Sequence, residues 1–182
     1  MLRKVLRRVR NVGIAITAAV AVMAGTAGTA SATELNPRTW VENPEICRWS
    51  SCYNDPDLIR FWQSILWADN LGGGITAATV DGQFGSNTET RTKRWQSDSW
   101  HLDYNGNRLT ADGEVGPRTW YAAQYVETGD GIKQAWCVYD TAARVDRCTY
   151  SGRGTGREFT WRVYDDGTWF FTAPNGYTYQ LV

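Results

Sequence analysis

One short frame occurs twice in this chain, and it limits what the surrounding residues can become. The first copy is Asp81-Gly82-Gln83-Phe84-Gly85-Ser86-Asn87-Thr88, and the second is Asp112-Gly113-Glu114-Val115-Gly116-Pro117-Arg118-Thr119-Trp120. Asp-Gly predicts a turn, because glycine accepts the positive φ that side chains resist. Gly85 is expected to close the turn, and Ser86 with Glu89 reads as a capping box at a helix start. In the second copy Pro117 falls at the first helical position, where its missing N–H is harmless. Each frame therefore predicts turn, glycine, helix.

A helix is also expected ahead of the first frame. Asp55-Pro56 supplies a cap and a first-position proline, and Leu58, Ile59, Trp62, Ile65 and Leu66 recur at helical spacing up to Asp69. Leu71-Gly72-Gly73-Gly74 ends it. The second helix spans about Ser86 to Ser97, and the third Pro117 to about Val126.

The ordered set Ile59, Trp62-Gln63 and Leu66, then the first frame with Phe84, Gly85 and Thr88, then Trp95-Gln96, then the second frame, resembles the three-helix peptidoglycan-binding domain of bacterial cell-wall hydrolases. The resemblance covers about Asp55 to Tyr125. It implies a groove near the two turns that receives a stem peptide or glycan. Three departures stand out. Arg91-Thr92 replaces an Ala-apolar pair, Ala123 replaces a leucine, and the Trp100–Asp112 connection, with its Asn105-Gly106 turn, is long. The first two are expected to thin the core.

The chain begins with a pattern of its own. Arg3, Lys4, Arg7, Arg8 and Arg10 precede an apolar run from Val12 to Ala24, and Ala30-Ser31-Ala32 has the small residues of a cleavage site, so residues 1–32 read as a secretory signal peptide. The 19 basic and 19 acidic side chains balance overall, but the leader holds five of the basic ones, which leaves −5 for residues 33–182. That balance, without a basic tract, argues against nucleic acid and against an anionic membrane surface once the signal is gone.

Residues 33–54 are expected to form an extended arm with a small Cys47–Cys52 loop, and residues 55–129 the helical domain, ending in a polar linker at Glu127–Gly131. Residues 130–182 change period. Gln134–Tyr139, Arg147–Tyr150, Glu158–Tyr164, Thr168–Thr172 and Tyr177–Leu181 read as strands, with hairpins at Asp166-Gly167 and Asn175-Gly176. Four cysteines behind a secretory signal suggest disulfides. Locality favours Cys47–Cys52 and Cys137–Cys148 among the three possible pairings. The expected fold class is α+β, a small helical domain followed by a disulfide-stapled antiparallel β module.

Chemistry is harder to find than binding. The single histidine, His101, cannot build a histidine-rich zinc site and is expected on a surface or in a loop. The glycines of Gly152–Gly156 are not followed by a helix and read as a hairpin connection. Neither H-E-x-x-H nor G-x-S-x-G occurs, and the carboxylate candidates for a sugar-cleaving pair include Glu158, Asp165 and Asp166, the last two at a turn where Asp is common for local reasons. No catalytic residue, metal or cofactor is expected. The 10 Trp, 9 Tyr and 5 Phe all follow the leader. Trp62, Trp95, Trp120, Trp161 and Trp169 are assigned to cores, whereas Trp67, Trp100, Tyr104 and Tyr121 fall off the helical stripes or in loops and are the ligand-facing candidates. Asp81 and Asp112 are expected to bond the amides of their own turns, Gly82, Gly85, Gly113 and Gly116 to satisfy backbone geometry, and Gln96 is carried as a structural residue of the motif. The function expected is secreted, non-catalytic wall binding to peptidoglycan or its fragments, with a further ligand or protein partner for the β module. The alternatives are a minimal wall hydrolase and a secreted inhibitor using the helical domain as scaffold.

Overall fold

A computed structural model describes residues 39–125 and 134–181. The leader, the start of the arm and the linker expected at Glu127–Gly131 lie outside the described residues. Three helices, α1 (Pro56–Asp69), α2 (Ser86–Gln96) and α3 (Pro117–Tyr125), precede five strands, β1 (Ala135–Asp140), β2 (Val145–Ser151), β3 (Glu158–Tyr164), β4 (Trp169–Thr172) and β5 (Thr178–Leu181). The α+β class is as the sequence suggests. Both expected disulfides, Cys47–Cys52 and Cys137–Cys148, are present. Among the described residues no helix is long and apolar enough to cross a membrane.

The ends of α1 follow from its sequence. Asp55 accepts from the amides of Asp57 and Leu58, Pro56 opens the helix, and Asn70 ends it in the left-handed region. The start of α2 corrects the expected capping box. Gly85 is the N-cap, so Ser86 already lies in the first turn and caps nothing. Glu89 turns instead to Lys93 at 2.6 Å and Arg48 at 3.4 Å, and these cations hold its carboxyl below the usual range, the Lys93 hydrogen bond first among them.

The sheet is an antiparallel meander in the order β1-β2-β3-β4-β5. Its alternation is regular in β3, where Phe159, Trp161 and Val163 are buried and Glu158, Thr160, Arg162 and Tyr164 are exposed. Helix α1 lies between this buried face and the other two helices. Phe61 meets Phe159, Trp161, Trp169 and Phe171 edge-on at 5.3–5.8 Å. One position further, Trp62 packs on Trp95 and Trp120 at 5.1 and 5.6 Å. Adjacent residues on a helix point about 100° apart, so two consecutive aromatics can serve two different layers.

One hydrophobic cluster therefore runs through helices and sheet together. The arm contributes to it as well. Trp40, from a stretch expected to be extended, is fully buried in a short 3-10 turn and contacts Phe61, Trp120, Tyr150 and Trp161. That turn packs on α3, whose buried Ala122 and Ala123 are small. Ala123 is fully buried in a helix whose Trp120 meets the Trp40 indole at 6.4 Å, so the arm adds bulk to this part of the core. Thr92 is likewise fully buried, with its hydroxyl accepting from Trp62 Nε1 at 2.9 Å.

The joint between helices and sheet is polar at its centre. Asp69 is 3 % exposed. Its Oδ2 accepts from Trp95 Nε1 (2.6 Å) and the Tyr150 hydroxyl (2.8 Å). Its Oδ1 accepts from Gln134 Nε2 (2.7 Å) and the Arg153 amide (3.1 Å). Burial first, and then this carboxylate, push the Tyr150 hydroxyl well above its ordinary pKa. The Gly152–Gly156 segment, read from sequence as a free hairpin connection, docks here. A Cβ on Gly152 would lie 2.0 Å from the Ala68 carbonyl oxygen, and Thr155 Oγ1 donates to that same oxygen at 2.6 Å.

Candidate functional site

The repeated frame folds the same way twice, and a glutamine holds each copy. Gln63 Nε2 donates toward Asp81 Oδ1 (2.9 Å), the Gln83 carbonyl (3.1 Å) and Thr88 Oγ1 (3.1 Å), while its Oε1 accepts from the Gly82 amide (2.9 Å). Gln96 Nε2 donates toward Asp112 Oδ1 (2.9 Å), the Glu114 carbonyl (2.8 Å) and Thr119 Oγ1 (3.1 Å), and its Oε1 accepts from the Gly113 amide (2.9 Å). In each copy the aspartate also accepts from the amide two residues on, at 2.9 Å. Gly82 and Gly113 take φ of +79° and +85°, as an Asp-Gly turn needs. Gly85 and Gly116 do not take positive φ, so the expectation that all four glycines serve backbone conformation holds for two. Gly116 lies beneath the Glu45 carboxylate, where a Cβ would come within 3.0 Å of Oε2.

Beside each clasped turn is a cleft. The first, of about 220 Å³, is lined by Leu66, Ile75 and Ala78 on its apolar side and by Thr79, Gln83, Asn87 and Arg91 among its polar groups. The second, of about 290 Å³, is lined by Glu45, Tyr104, Asp112, Glu114, Pro117 and Arg118 among others. Five lining positions, from Asp81, Gln83, Gly85, Asn87 and Thr88 to Asp112, Glu114, Gly116, Arg118 and Thr119, correspond at the repeat offset. The two clefts differ in charge. Arg91 brings a cation to the first, where it reaches Asn87 Oδ1 and the Gly74 carbonyl. The second is acidic, and burial, followed by Glu45, Asp112 and Glu89, raises the Glu114 carboxyl above its usual value.

The four aromatic candidates are not gathered into one site. Tyr104 lines the second cleft and meets Tyr121 edge-on at 5.8 Å, and Tyr121 continues to Tyr125 at 4.7 Å. Trp100 is 48 % exposed with the Arg153 guanidinium 4.1 Å above its ring. Trp67 is half-buried under Arg157, which also donates to the Trp67 and Ile75 carbonyls. The β2–β3 loop thus covers both tryptophans with arginines. Asn87 and Thr79 were not singled out as site residues in the sequence, and Arg91 stood out only as a departure from the resemblance. The repeat offset from Arg118 is the signal that would have found Asn87.

His101 corrects its expected surface placement. It is 1 % exposed, stacks on Trp95 at 3.5 Å and places Nδ1 2.6 Å from the Trp95 carbonyl. Burial lowers its pKa, with the Trp95 carbonyl and the Asp69 and Asp98 charges pulling the other way. The carboxylate candidates are not paired. Glu158 and Asp165 fall at opposite ends of β3, on the order of 20 Å apart by strand rise. Asp165 binds Arg144 and the Tyr139 hydroxyl, and Asp166 accepts from the Thr168 amide. Among the described residues no group of three or more His, Cys, Asp or Glu is disposed to hold a metal. Comparison with protein-family models, with curated proteins and with solved structures finds no match.

Proposed function

We propose that this is a secreted, non-catalytic peptidoglycan-binding protein, with the wall polymer held at the clefts beside the two clasped turns. The observation that carries this reading is the duplication itself. Two glutamines, 33 positions apart in the chain (Gln63 and Gln96), hold two turns with the same bonds, and each turn stands beside an open cleft. Satisfying buried amides explains why the turns are rigid. It does not explain why the same lining positions stay open in both copies.

The first cleft suits a segment of a stem peptide. Its apolar wall takes methyl groups, its amide and hydroxyl side chains pair with peptide groups, and Arg91 takes a carboxylate. The acidic second cleft suits an amine-bearing segment of the same polymer. Binding of this kind depends on short-range contacts, since the negative net charge gives no long-range attraction to an anionic wall.

Co-sedimentation with purified insoluble peptidoglycan tests the proposal. Saturable pelleting of the protein, weakened by Arg91→Glu in a variant of unchanged circular dichroism, is the expected result. Protein left in the supernatant across micromolar concentrations would overturn it and leave the helical part as a scaffold for a protein partner.

A further inference from the structure

The helices cover one face of the sheet, and among the described residues nothing packs on the other. Strand register arranges that outer face in rows. One row is Trp136, Thr149, Thr160, Thr172 and Thr178, a residue from each of the five strands in turn. The next is Val138, Arg147, Arg162, Phe170 and Gln180. Thr160, Thr172, Thr178, Arg147, Arg162 and Trp136 are exposed.

Part of this pattern is ordinary sheet chemistry. Threonine favours strands, and cross-strand threonines stabilise one another; Thr172 and Thr178 share a hydroxyl hydrogen bond of 3.2 Å. Two features do not fit that account. Arg147 and Arg162 are direct cross-strand partners, an arrangement that like charges disfavour. Asp140 pairs with Arg147 at 3.0 Å, but the guanidinium of Arg162, in the central strand, makes no hydrogen bond or ion pair with any described residue. Beside it stand two aromatics, Phe170 and Tyr164, edge-on at 6.0 Å.

We propose that this outer face binds an extended carboxylated glycan, running across the strands along the threonine row. Adjacent residue positions in that row repeat at the strand spacing of about 4.8 Å, close to the advance of one pyranose ring in an extended chain. Successive sugars can then meet successive threonines with the same geometry. A sugar carboxylate set between Arg147 and Arg162 relieves their repulsion and accepts forked hydrogen bonds from Arg162. Trp136 at one end of the row and Phe170 beside it supply flat apolar surfaces for the C–H faces of the rings. Polyhydroxyl recognition and charge pairing here use different residues from the clefts, so this site does not rest on the proposed wall binding.

Titration calorimetry of the whole protein with hexagalacturonate, against maltohexaose as the uncharged hexamer, tests it. Binding of the charged hexamer is expected, weakening as salt is raised. Arg162→Gln should weaken it by about tenfold, the scale of one charge-assisted bond, and Thr160→Val with Thr172→Val by severalfold. Pelleting on peptidoglycan should be unchanged by Arg162→Gln, which separates the two sites. The proposal is overturned if hexagalacturonate does not bind, if maltohexaose binds equally well, or if Arg162→Gln leaves the affinity unaltered. A poly(glycerol phosphate) chain that bound in place of the carboxylated hexamer would also overturn it.

Discussion

Replacing Asp69 with asparagine tests the joint between helices and sheet without changing its shape. The carboxylate is buried and accepts four hydrogen bonds, two on each oxygen. An amide has one acceptor oxygen and one donor nitrogen, so either orientation sets an NH2 group against two donors. With the nitrogen in place of Oδ2 it faces Trp95 Nε1, which cannot turn away, and the Tyr150 hydroxyl, which can. In place of Oδ1 it faces the Arg153 amide, which is fixed, and Gln134 Nε2, which can turn only by giving up its 2.9 Å bond to the Ser151 carbonyl. Two bonds to a charged acceptor are lost or inverted in each case. At about 1.5–3 kcal/mol apiece the expected cost is about 3–6 kcal/mol, or a fall in Tm of roughly 10–15 °C for a chain of this size. Urea unfolding read by tryptophan fluorescence measures it, with Asp98→Asn as the surface control. Asp98 is partly exposed and pairs with Arg153 at 3.4 Å, so its substitution should cost no more than about 1 kcal/mol. A loss below about 1 kcal/mol for Asp69→Asn, at an unchanged m-value, would refute the idea that this carboxylate joins the two halves.

Three further outcomes are expected. His101 is neutral when buried and has its pKa lowered, so below about pH 6.5 the unfolded chain binds a proton that the folded chain refuses. Stability should therefore be full above that pH and decline as pH falls toward the folded value; urea midpoints between about pH 5.5 and 7.5 should show the slope, and His101→Phe should flatten it. Gly152→Ala places a methyl against the Ala68 carbonyl, and the loop must lift from α1, at about 3 kcal/mol, a loss to be read in thermal melts and in the near-ultraviolet dichroism of the tryptophans. Gln96→Ala strands the buried Gly113 amide and should cost about 2–4 kcal/mol; Gln63→Ala should match it within about 1 kcal/mol if the two clasps are energetic as well as geometric copies.

The parts of this fold legible in the sequence are those decided within a few residues. Asp55-Pro56 starts a helix because the cap and the proline are adjacent to what they organise. Cys137 and Cys148 become cross-strand partners because one hairpin brings them opposite each other. The parts that were not legible depend on partners far along the chain. Trp40 sits in an arm without periodicity, and its neighbours come from α1, α3 and the sheet. Asp69 enters the sequence reading only as the end of a helix; its four donors lie between 26 and 84 positions away.

The same division runs through the candidate site. Its scaffold was visible in part, since the Asp-Gly frames recur 31 residues apart and an aromatic-Gln pair precedes each, though the glutamines' hold on the turns was not. Its openings were not, because a cleft is what several elements fail to fill, and no single stretch encodes that. Repetition offers a partial remedy. When two copies of a frame keep their structural residues and differ in the residues beside them, the constant positions report folding and the variable ones are free to report function. Asn87 against Arg118 and Gln83 against Glu114 are such pairs, each lining its own cleft. Glu114 adds an acid to the second cleft at a position where the turn places little demand on the side chain; Arg118 offsets it, and Arg91 and Glu45, outside the frame, supply the net charge difference between the clefts. If wall binding resides there, exchanging Gln83 and Glu114 should alter ligand preference while leaving the clasps intact, because both residues bond the glutamine only through their backbone carbonyls.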